Sequence, residues 1–148
     1  MIRRVGAADI RPLRHRILRP GRPFAETEYA GDADPATVHF AAYAGDRLVG
    51  AASLYREDRP DPIVDGAGWR LRGMATDPVA RGQGHGRDLL AACVDHVAAS
   101  GGGEVWCNAR SGAIPFYRAA GFEPLGDEFE IPGIGAHVVM RRTVPSAG

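Results

Sequence analysis

Three alternating glycines between two arginines are the residues of this sequence whose types and spacing most clearly indicate chemistry. The run is Arg81-Gly82-Gln83-Gly84-His85-Gly86-Arg87, and it leads from a predicted strand into a predicted helix. A glycine loop that enters a helix presents backbone N–H groups at the positive end of the helix dipole, where phosphates commonly bind. The sequence therefore predicts an anion site in this loop, to which Arg81 and Arg87 would add charge-assisted hydrogen bonds.

Two other interpretations compete with a phosphate loop of this kind. A glycine-rich turn could simply allow a helix and a strand to pack closely. A dinucleotide-binding loop would need the spacing G-x-G-x-x-G directly after a strand, with an acid at the end of the next strand. Here the spacing is G-x-G-x-G, the loop begins about five residues after the strand, and Glu104 opens the next strand instead of closing it. The dinucleotide interpretation therefore fits poorly, whereas the structural turn stays an alternative.

The charge composition narrows the chemistry further. The 148 residues include 18 basic and 18 acidic side chains, so no long-range field would attract nucleic acid or an anionic membrane. Every basic residue is arginine, which excludes a Schiff-base lysine, a lysine general base and a P-loop lysine. Because the sequence shows neither an apolar run of membrane-spanning length nor an N-terminal signal pattern, we expect a cytoplasmic protein.

Neither the cysteines nor the metal-ligand residue types indicate a further site. Cys93 and Cys107 are too few for a disulfide framework, and both fall in apolar stretches where buried thiols are expected. No His, Cys or carboxylate pair has the spacing of metal ligands, so we expect no metal.

Periodicity and turn residues predict a mixed α/β sheet of six or seven strands in a single domain, residues 1–144, with a frayed tail at 145–148. The predicted strands are 2–5, 38–43, 47–55, 69–76, 104–109, 122–131 and 136–142. Helices are predicted from an N-cap at Asp9 to before Pro20, over 87–97 and over 113–120. Gly45-Asp46 indicates a hairpin, and residues 56–68 are expected to form a surface loop.

Motifs on both sides of the glycine loop connect it to a known family. The preceding strand ends in Met74-Ala75-Thr76-Asp77-Pro78, the following strand ends in Asn108, and the run Phe116-Tyr117-Arg118-Ala119-Ala120-Gly121-Phe122 comes next. With the loop, which matches R/Q-x-x-G-x-G/A, this order resembles the GNAT superfamily of acetyl-CoA-dependent N-acetyltransferases over nearly the whole chain. A narrower resemblance to the small ElaA-like bacterial members lies in scattered positions: Asp34, His39, Phe129, Glu130, Gly133, His137 and Met140.

The resemblance implies a GNAT-like fold with a splayed central strand pair that binds acetyl-CoA. The glycine loop would hold the diphosphate, and a bulge near Gly73 would leave the N–H groups of Met74, Ala75 and Thr76 free for the pantetheine arm and the thioester carbonyl. Asn108 would bind the pantetheine arm, although a strand-end cap is the alternative. Tyr117 would protonate the leaving thiolate, although a plain core residue is the alternative.

The implied reaction is transfer of an acetyl group from acetyl-CoA to a primary amine of a small molecule or peptide, by direct attack. The base stays open: many family members carry an acid on the central strand, where this chain has Arg70 and Arg72, so the candidates are His39, Glu130 and His137. A degenerate acyl-CoA-binding sensor or interaction module is the alternative function. A homodimer is common in the superfamily, and the acids between 26 and 34 either line a site for a cationic acceptor or form a solvated loop.

Overall fold

The helices and strands follow the predicted pattern closely. A computed structural model describes residues 1–60 and 67–148, so most of the predicted surface loop lies outside the described residues. The elements in chain order are β1 (Ile2–Val5), α1 (Ala7–Leu13), β2 (Val38–Ala44), β3 (Arg47–Arg56), β4 (Gly68–Thr76), α2 (His85–Ala99), β5 (Gly103–Arg110), α3 (Ile114–Ala119), β6 (Glu123–Ile131) and β7 (Gly135–Val144). Short 3-10 turns lie at Phe24–Thr27, Pro78–Ala80 and Ser111–Ala113.

The strands form a seven-stranded mixed sheet in the order β1-β2-β3-β4-β5-β7-β6, which confirms the predicted fold class. β4 and β5 run parallel through the pairs Gly68–Glu104, Trp69–Val105 and Arg70–Trp106. A parallel pair needs a long crossover, and the segment containing α2 supplies it. The chain divides into two compact units, residues 1–56 with 71–95 and residues 57–70 with 96–148. The boundary between the two units falls in β4, between Arg70 and Leu71. The described parallel pairs between β4 and β5 end at the same place, with the pair Arg70–Trp106.

In the first unit, α1 packs its apolar face on small side chains. Ile10 and Leu13 are fully buried in a cluster with Ala41, Ala51 and Ala75. The antiparallel hairpin of β2 and β3 turns at Gly45, whose φ of 60° is the left-handed conformation that the predicted hairpin requires. Small residues on the strands let the helix approach the sheet, so Ile10 and Leu13, three residues apart on one helix face, are buried.

The start of α1 differs from the prediction that Asp9 is its N-cap. Gly6 is the N-cap, and the Asp9 carboxylate accepts a hydrogen bond from the Gly6 N–H at 3.1 Å. An acid at the third helical position satisfies the cap from inside the helix and complements the helix dipole, so the helix begins three residues earlier than an N-cap at Asp9 predicts. The helical path continues through a wider π-type turn at Arg14–Leu18 and stops before Pro20, as predicted.

In the second unit, β5, β7 and β6 form an antiparallel set. β5 pairs with β7 from Gly103–Val144 to Arg110–His137, and a register shift between Leu125 and Phe129 interrupts the β6–β7 hairpin. The core of this unit is apolar and aromatic: Val105, Trp106, Cys107, Ala109, Tyr117, Phe122, Val138, Met140 and Val144. The C-terminal tail contacts α2, because the Ala147 N–H donates to the Ala98 carbonyl at 3.0 Å.

Both cysteines are buried, as predicted. Burial raises the pKa of Cys93 and of Cys107 to about 12, so neither is a thiolate nucleophile at neutral pH. No helix in residues 1–60 and 67–148 is long and apolar enough to span a bilayer.

Candidate functional site

The predicted anion loop lies in the first unit, at the end of β4. Asp77 follows the strand and caps the turn Pro78–Ala80, where its carboxylate accepts from the Val79 N–H at 3.1 Å. Arg16 and Arg47 donate to the same carboxylate at 2.7 and 3.1 Å. The Val79 N–H and, after it, the two arginines lower the pKa of Asp77 against the effect of burial. These contacts fix the point at which the chain leaves the strand and enters the glycine loop.

The loop backbone has the conformation that a close-fitting anion site requires. Gly82 and Gly84 have φ of 81° and 85°, which side-chain-bearing residues rarely adopt. A Cβ added at Gly82 would meet nothing within 4 Å, so the space beside it is open to a ligand. α2 begins at His85, two residues before the predicted start, and its first backbone hydrogen bond runs from the Asp88 N–H to the Gly84 carbonyl. The N–H groups of His85, Gly86 and Arg87 precede that ladder and have no intrahelical acceptor.

The exposure of the loop also suits a ligand contact. Arg81, Gly82, Gln83 and Arg87 are exposed, while Gly84, His85 and Gly86 are half-buried. The Arg87 guanidinium lies 3.5 Å from the Asp88 carboxylate, with both side chains largely exposed, and such a surface pair holds its arginine weakly. The loop therefore presents backbone donors together with two exposed cations.

The backbone of β4 leaves the extended conformation at Gly73, near which a bulge is expected. Gly73 has φ of 66° within the strand, so the extended backbone is broken one residue before Met74. A Cβ at Gly73 would lie 3.4 Å from both the Arg14 Nε and the Tyr29 ring. The three residues assigned to the thioester, Met74, Ala75 and Thr76, directly follow this interruption, and Ala75 is buried while its two neighbours are half-buried.

A buried polar network that the sequence did not predict lies beside Gly73 in the same unit. Arg14 has no exposed surface and binds Asp32 through two contacts of 2.7 and 3.2 Å. It also donates to the Thr27 carbonyl, the Ser53 hydroxyl and the Tyr55 hydroxyl. Burial alone would raise the pKa of Asp32, but hydrogen bonds from Arg14, the Tyr55 hydroxyl and the Tyr29 N–H lower it below its usual value.

His39 belongs to this network. Its Nε2 lies 3.0 Å from the Asp32 carbonyl and must therefore donate to it, and its Nδ1 lies 2.7 Å from the Ser53 hydroxyl oxygen. Ser53 in turn accepts from Arg14, which closes a ring of hydrogen bonds through Asp32. Both ring nitrogens of His39 are thus engaged with the protein, as in a structural histidine.

The remaining predicted site residues lie in the second unit. Asn108 is half-buried on β5 and pairs with Val139 of β7. Tyr117 is buried on α3, its ring lies 5.0 Å from Phe116 and 5.6 Å from Phe122, and its hydroxyl is hydrogen-bonded to the Cys107 sulfur. A phenol O–H that already reaches a sulfur atom has the chemistry expected of a donor to a thiolate.

The last two base candidates share the β6–β7 hairpin but face opposite ways. His137 is buried, and its Nδ1 donates to the Gly135 carbonyl at 2.7 Å, which leaves the lone pair on Nε2. Glu130 is exposed and pairs with Ala136, so it lies on the sheet face opposite to His137. The hairpin therefore provides one oriented imidazole and one solvated carboxylate, and these two groups do not form a pair.

A second buried ion cluster lies in this unit and was also missed. Glu104, predicted only to open a strand, has no exposed surface and binds Arg59 at 2.6 Å and Arg141 at 3.2 Å. Within residues 1–60 and 67–148, no group of three or more His, Cys, Asp or Glu side chains is arranged to hold a metal ion.

Comparison with known proteins identifies the family. Residues 22–144 match the acetyltransferase (GNAT) domain. This chain belongs to the GNAT acetyltransferase family. It is also 34% identical over 143 residues to the uncharacterized N-acetyltransferase YitI of Bacillus subtilis, with 97% of this chain and 95% of that protein covered.

Solved GNAT structures share the fold. Escherichia coli ElaA superposes with a TM-score of 0.77 at 16% identity, covering 96% of this chain and 99% of that one. An aminoglycoside 6'-N-acetyltransferase complexed with coenzyme A gives a TM-score of 0.70 at 15% identity, covering 100% and 99%. At these identities the likeness is one of fold, while family membership makes the chain an acyltransferase of the N-acetyltransferase class.

Proposed function

We propose that this chain transfers an acetyl group from acetyl-CoA to a primary amine of a small molecule or peptide, by direct attack of the amine. The observation that carries the proposal is the glycine loop at the end of β4, with two left-handed glycines and open space beside Gly82. Acetyl-CoA supplies the activated thioester, and the loop residues Arg81 to Arg87 would bind its diphosphate through backbone N–H groups and two guanidinium groups.

The backbone that follows Gly73 would act on the acyl group. The positive φ of Gly73 interrupts the extended backbone of β4. The N–H groups of Met74, Ala75 and Thr76 follow directly in sequence. A backbone donor there would polarise the thioester carbonyl and stabilise the negative charge that develops on its oxygen. Asn108 would bind the pantetheine arm, as the family resemblance implies.

Proton transfers complete the reaction. Tyr117 would donate a proton to the leaving sulfur, as the family resemblance implies, and its hydroxyl would exchange the Cys107 sulfur for the thiolate. Among the base candidates, His137 has the best support, because Nδ1 is engaged and its lone pair lies on Nε2. His39 has both nitrogens engaged with Ser53 and Asp32, and Glu130 is a solvated carboxylate.

Binding of the coenzyme is tested by thermal unfolding with acetyl-CoA and coenzyme A. At 100 times the Kd, binding stabilises the fold by about 2.7 kcal/mol, a shift on the order of 8 °C for a chain of this length. Gly82→Ala should reduce this shift strongly, because a methyl group would fill the open space beside the loop. Gly45→Ala is the matched control: Gly45 also has a positive φ and open surroundings, but it lies in the β2–β3 hairpin. Equal losses of the shift in both variants would contradict the proposed diphosphate site.

Turnover is tested by release of free thiol with a panel of primary amines. We expect Tyr117→Phe to lower kcat by roughly a hundredfold or more with little change in coenzyme affinity. Unchanged turnover in this variant would reject the acid role of Tyr117. Coenzyme binding without thiol release for any amine would favour the alternative of an acyl-CoA sensor.

A further inference from the structure

The β6–β7 hairpin carries an imidazole whose two nitrogens differ in their surroundings. His137 is 4% exposed, and its Nδ1 donates to the Gly135 carbonyl at 2.7 Å, since a carbonyl can only accept. Its Nε2 has no hydrogen-bond partner among the described residues, and it is not one of their fully buried unpartnered atoms, so it reaches the surface. His137 therefore differs from His39, whose nitrogens are both engaged, and it keeps one lone pair available to a ligand.

The hydrogen bond to Nδ1 comes from an unusual backbone position. In a regular strand, the carbonyl groups point along the sheet toward the neighbouring strands. Gly135 has φ of 122°, outside the extended conformation, and its carbonyl contacts the ring two residues further along β7. A Cβ added at Gly135 would meet nothing within 4 Å, so only the backbone conformation opposes a side chain there. Glycine at this position therefore supports a carbonyl that fixes the tautomer of His137.

An aromatic ring lies against the imidazole from the neighbouring strand. Phe129 is the cross-strand partner of His137, and the two rings have centroids 6.0 Å apart and planes inclined by 33°. Phe129 is 37% exposed, although burial would stabilise so large an apolar ring more. An aromatic ring restricts the orientation of a neighbouring side chain and attracts a cation near its face. This contact therefore suits an imidazole that becomes an imidazolium.

The strand register places His137 beside the residue proposed to bind the pantetheine arm. Asn108 of β5 pairs with Val139, two residues from His137 on β7. Side chains two residues apart on a strand share a face, so Asn108 and His137 are diagonal neighbours on one face of the sheet, about 7–8 Å apart. Glu130 lies on the opposite face of the hairpin and does not have this relation. The imidazole is thus on the same face as the group proposed to hold the acyl donor.

We propose that Gly135 and Phe129 are positioning residues for His137 in the acetyl transfer. The Gly135 carbonyl keeps the ring proton on Nδ1, which leaves the Nε2 lone pair for the attacking amine. As the amine nitrogen bonds to the thioester carbon and the carbon–sulfur bond breaks, Nε2 takes the proton that the nitrogen loses. The sulfur leaves as a thiolate and receives its proton from Tyr117, and exchange with solvent restores both side chains. The inference rests on the proposed function, in which His137 is the base.

The tautomer of His137 is tested directly by ¹⁵N NMR of the imidazole nitrogens in the full-length protein. Spectra at about pH 8.5, roughly two units above the usual pKa of histidine, show neutral rings. His137→Gln assigns the signals, because it removes one of five histidine rings. We expect Nδ1 to be protonated and Nε2 unprotonated in the original protein, and the two tautomers to mix in Gly135→Ala. Gly133→Ala is the matched control, since Gly133 has φ of 78° in the same turn with nothing within 4 Å of its Cβ position. A proton on Nε2 of the original protein would overturn the proposal.

Turnover then tests whether this arrangement serves catalysis, with saturating acetyl-CoA and the best amine of the panel. We expect Gly135→Ala to lower kcat by roughly tenfold to a hundredfold with little change in the KM for acetyl-CoA, and Gly133→Ala to leave kcat unchanged. Phe129→Leu should lower kcat by roughly two- to fivefold, the equivalent of an exposed cation–π contact. Phe129→Tyr keeps the ring and should stay closer to the original rate. Ile134→Ala removes another exposed apolar side chain of the hairpin and should have no effect.

The outcomes separate the inference from the proposed function. If His137→Gln releases thiol as fast as the original protein, the base role fails and the positioning proposal fails with it, while the acetyltransferase function stands. If His137→Gln is slow but Gly135→Ala and Phe129→Leu keep full turnover, positioning is rejected and the base role stands. If neither acetyl-CoA nor coenzyme A shifts the midpoint of thermal unfolding, the proposed function itself fails.

Discussion

Asp32 and Glu104 are two buried carboxylates, one in each unit, that the protein satisfies in different ways. Asp32 pairs with the single arginine Arg14 and takes its other hydrogen bonds from neutral groups, the Tyr55 hydroxyl and the Tyr29 N–H. Glu104 lies between two arginines, Arg59 and Arg141, and the latter also reaches the exposed Glu123. The first network mixes charge with neutral donors, whereas the contacts described for Glu104 are with arginines.

The difference indicates which network is tied to function. The Asp32 network includes Arg14 and Tyr29, both of which lie against Gly73, where β4 is interrupted. The Glu104 network joins β5 to β7 and to residue 59 within the second unit, and its four members include none of the proposed site residues. We therefore expect both networks to support stability and only the Asp32 network to influence turnover.

The largest effect on stability is expected for Glu104→Gln. The change removes a buried carboxylate charge that binds both Arg59 and Arg141, so we expect a loss of about 3–5 kcal/mol in the free energy of unfolding. Urea unfolding at pH 7 measures this loss. Glu123→Gln removes the exposed member of the same cluster and should cost less than about 1 kcal/mol.

Turnover by the folded Glu104→Gln protein is the second part of this prediction. At temperatures well below the midpoint of thermal unfolding of this variant, its kcat should stay within about twofold of the value for the original protein. A large loss of turnover in folded protein would contradict the division of roles between the two networks.

Asp32→Asn should lower the free energy of unfolding less than Glu104→Gln does, but it should also lower kcat. Arg14 would keep the Thr27 carbonyl and the Ser53 hydroxyl as acceptors, so we expect a loss of about 2–3 kcal/mol, the range for hydrogen bonds to a charged group. A weakened hold on Arg14 should also disturb the contacts at Gly73 and lower kcat. We would measure kcat of folded Asp32→Asn and of folded Glu104→Gln under the same conditions. The comparison shows whether a loss of turnover can be separated from a loss of stability.

The pH dependence of stability offers a check on Asp32 alone. Because its pKa is lower in the folded protein than in the unfolded chain, the ionised carboxylate stabilises the fold at pH values above its unfolded pKa, about 3.9. This contribution is lost as the pH falls through the folded pKa. The difference in unfolding free energy between the original protein and Asp32→Asn should therefore be constant from pH 5 to 7 and shrink below about pH 4. A difference that does not change with pH would contradict a paired carboxylate.

The sequence predicted the features that local rules encode. Alternating apolar residues gave the strands, Gly45-Asp46 gave the hairpin, and the glycine spacing gave the anion loop whose backbone at Gly82 and Gly84 is left-handed. The start of α1 was misplaced by three residues, because an acid can cap a helix from its third position, and the start of α2 was misplaced by two.

The two ion networks and the stacking of Arg14 on the Tyr29 ring could not be predicted in the same way. Arg14, Asp32, His39 and Ser53 come from four separate segments, and nothing in their spacing shows that the fold brings them into hydrogen-bond contact. His39 illustrates the consequence. Its type suggested a base, but its partners are set by tertiary contacts, and these engage both of its nitrogens.

The smallest effect on stability is expected for Gly73→Ala, which tests whether the interruption of β4 matters for function. The new Cβ would occupy a left-handed backbone position and lie 3.4 Å from Arg14 and Tyr29, so we expect a loss of about 1–2 kcal/mol. Gly21→Ala is the control, because Gly21 has φ of 74° with nothing within 4 Å of its Cβ position and should show the backbone cost alone. If the position after Gly73 aligns the thioester carbonyl, kcat should fall between roughly tenfold and a hundredfold in Gly73→Ala and stay unchanged in Gly21→Ala. Equal kcat values in the two variants would show that the interruption serves the fold alone, and the Asp32 network would then have no more connection to catalysis than the Glu104 network has.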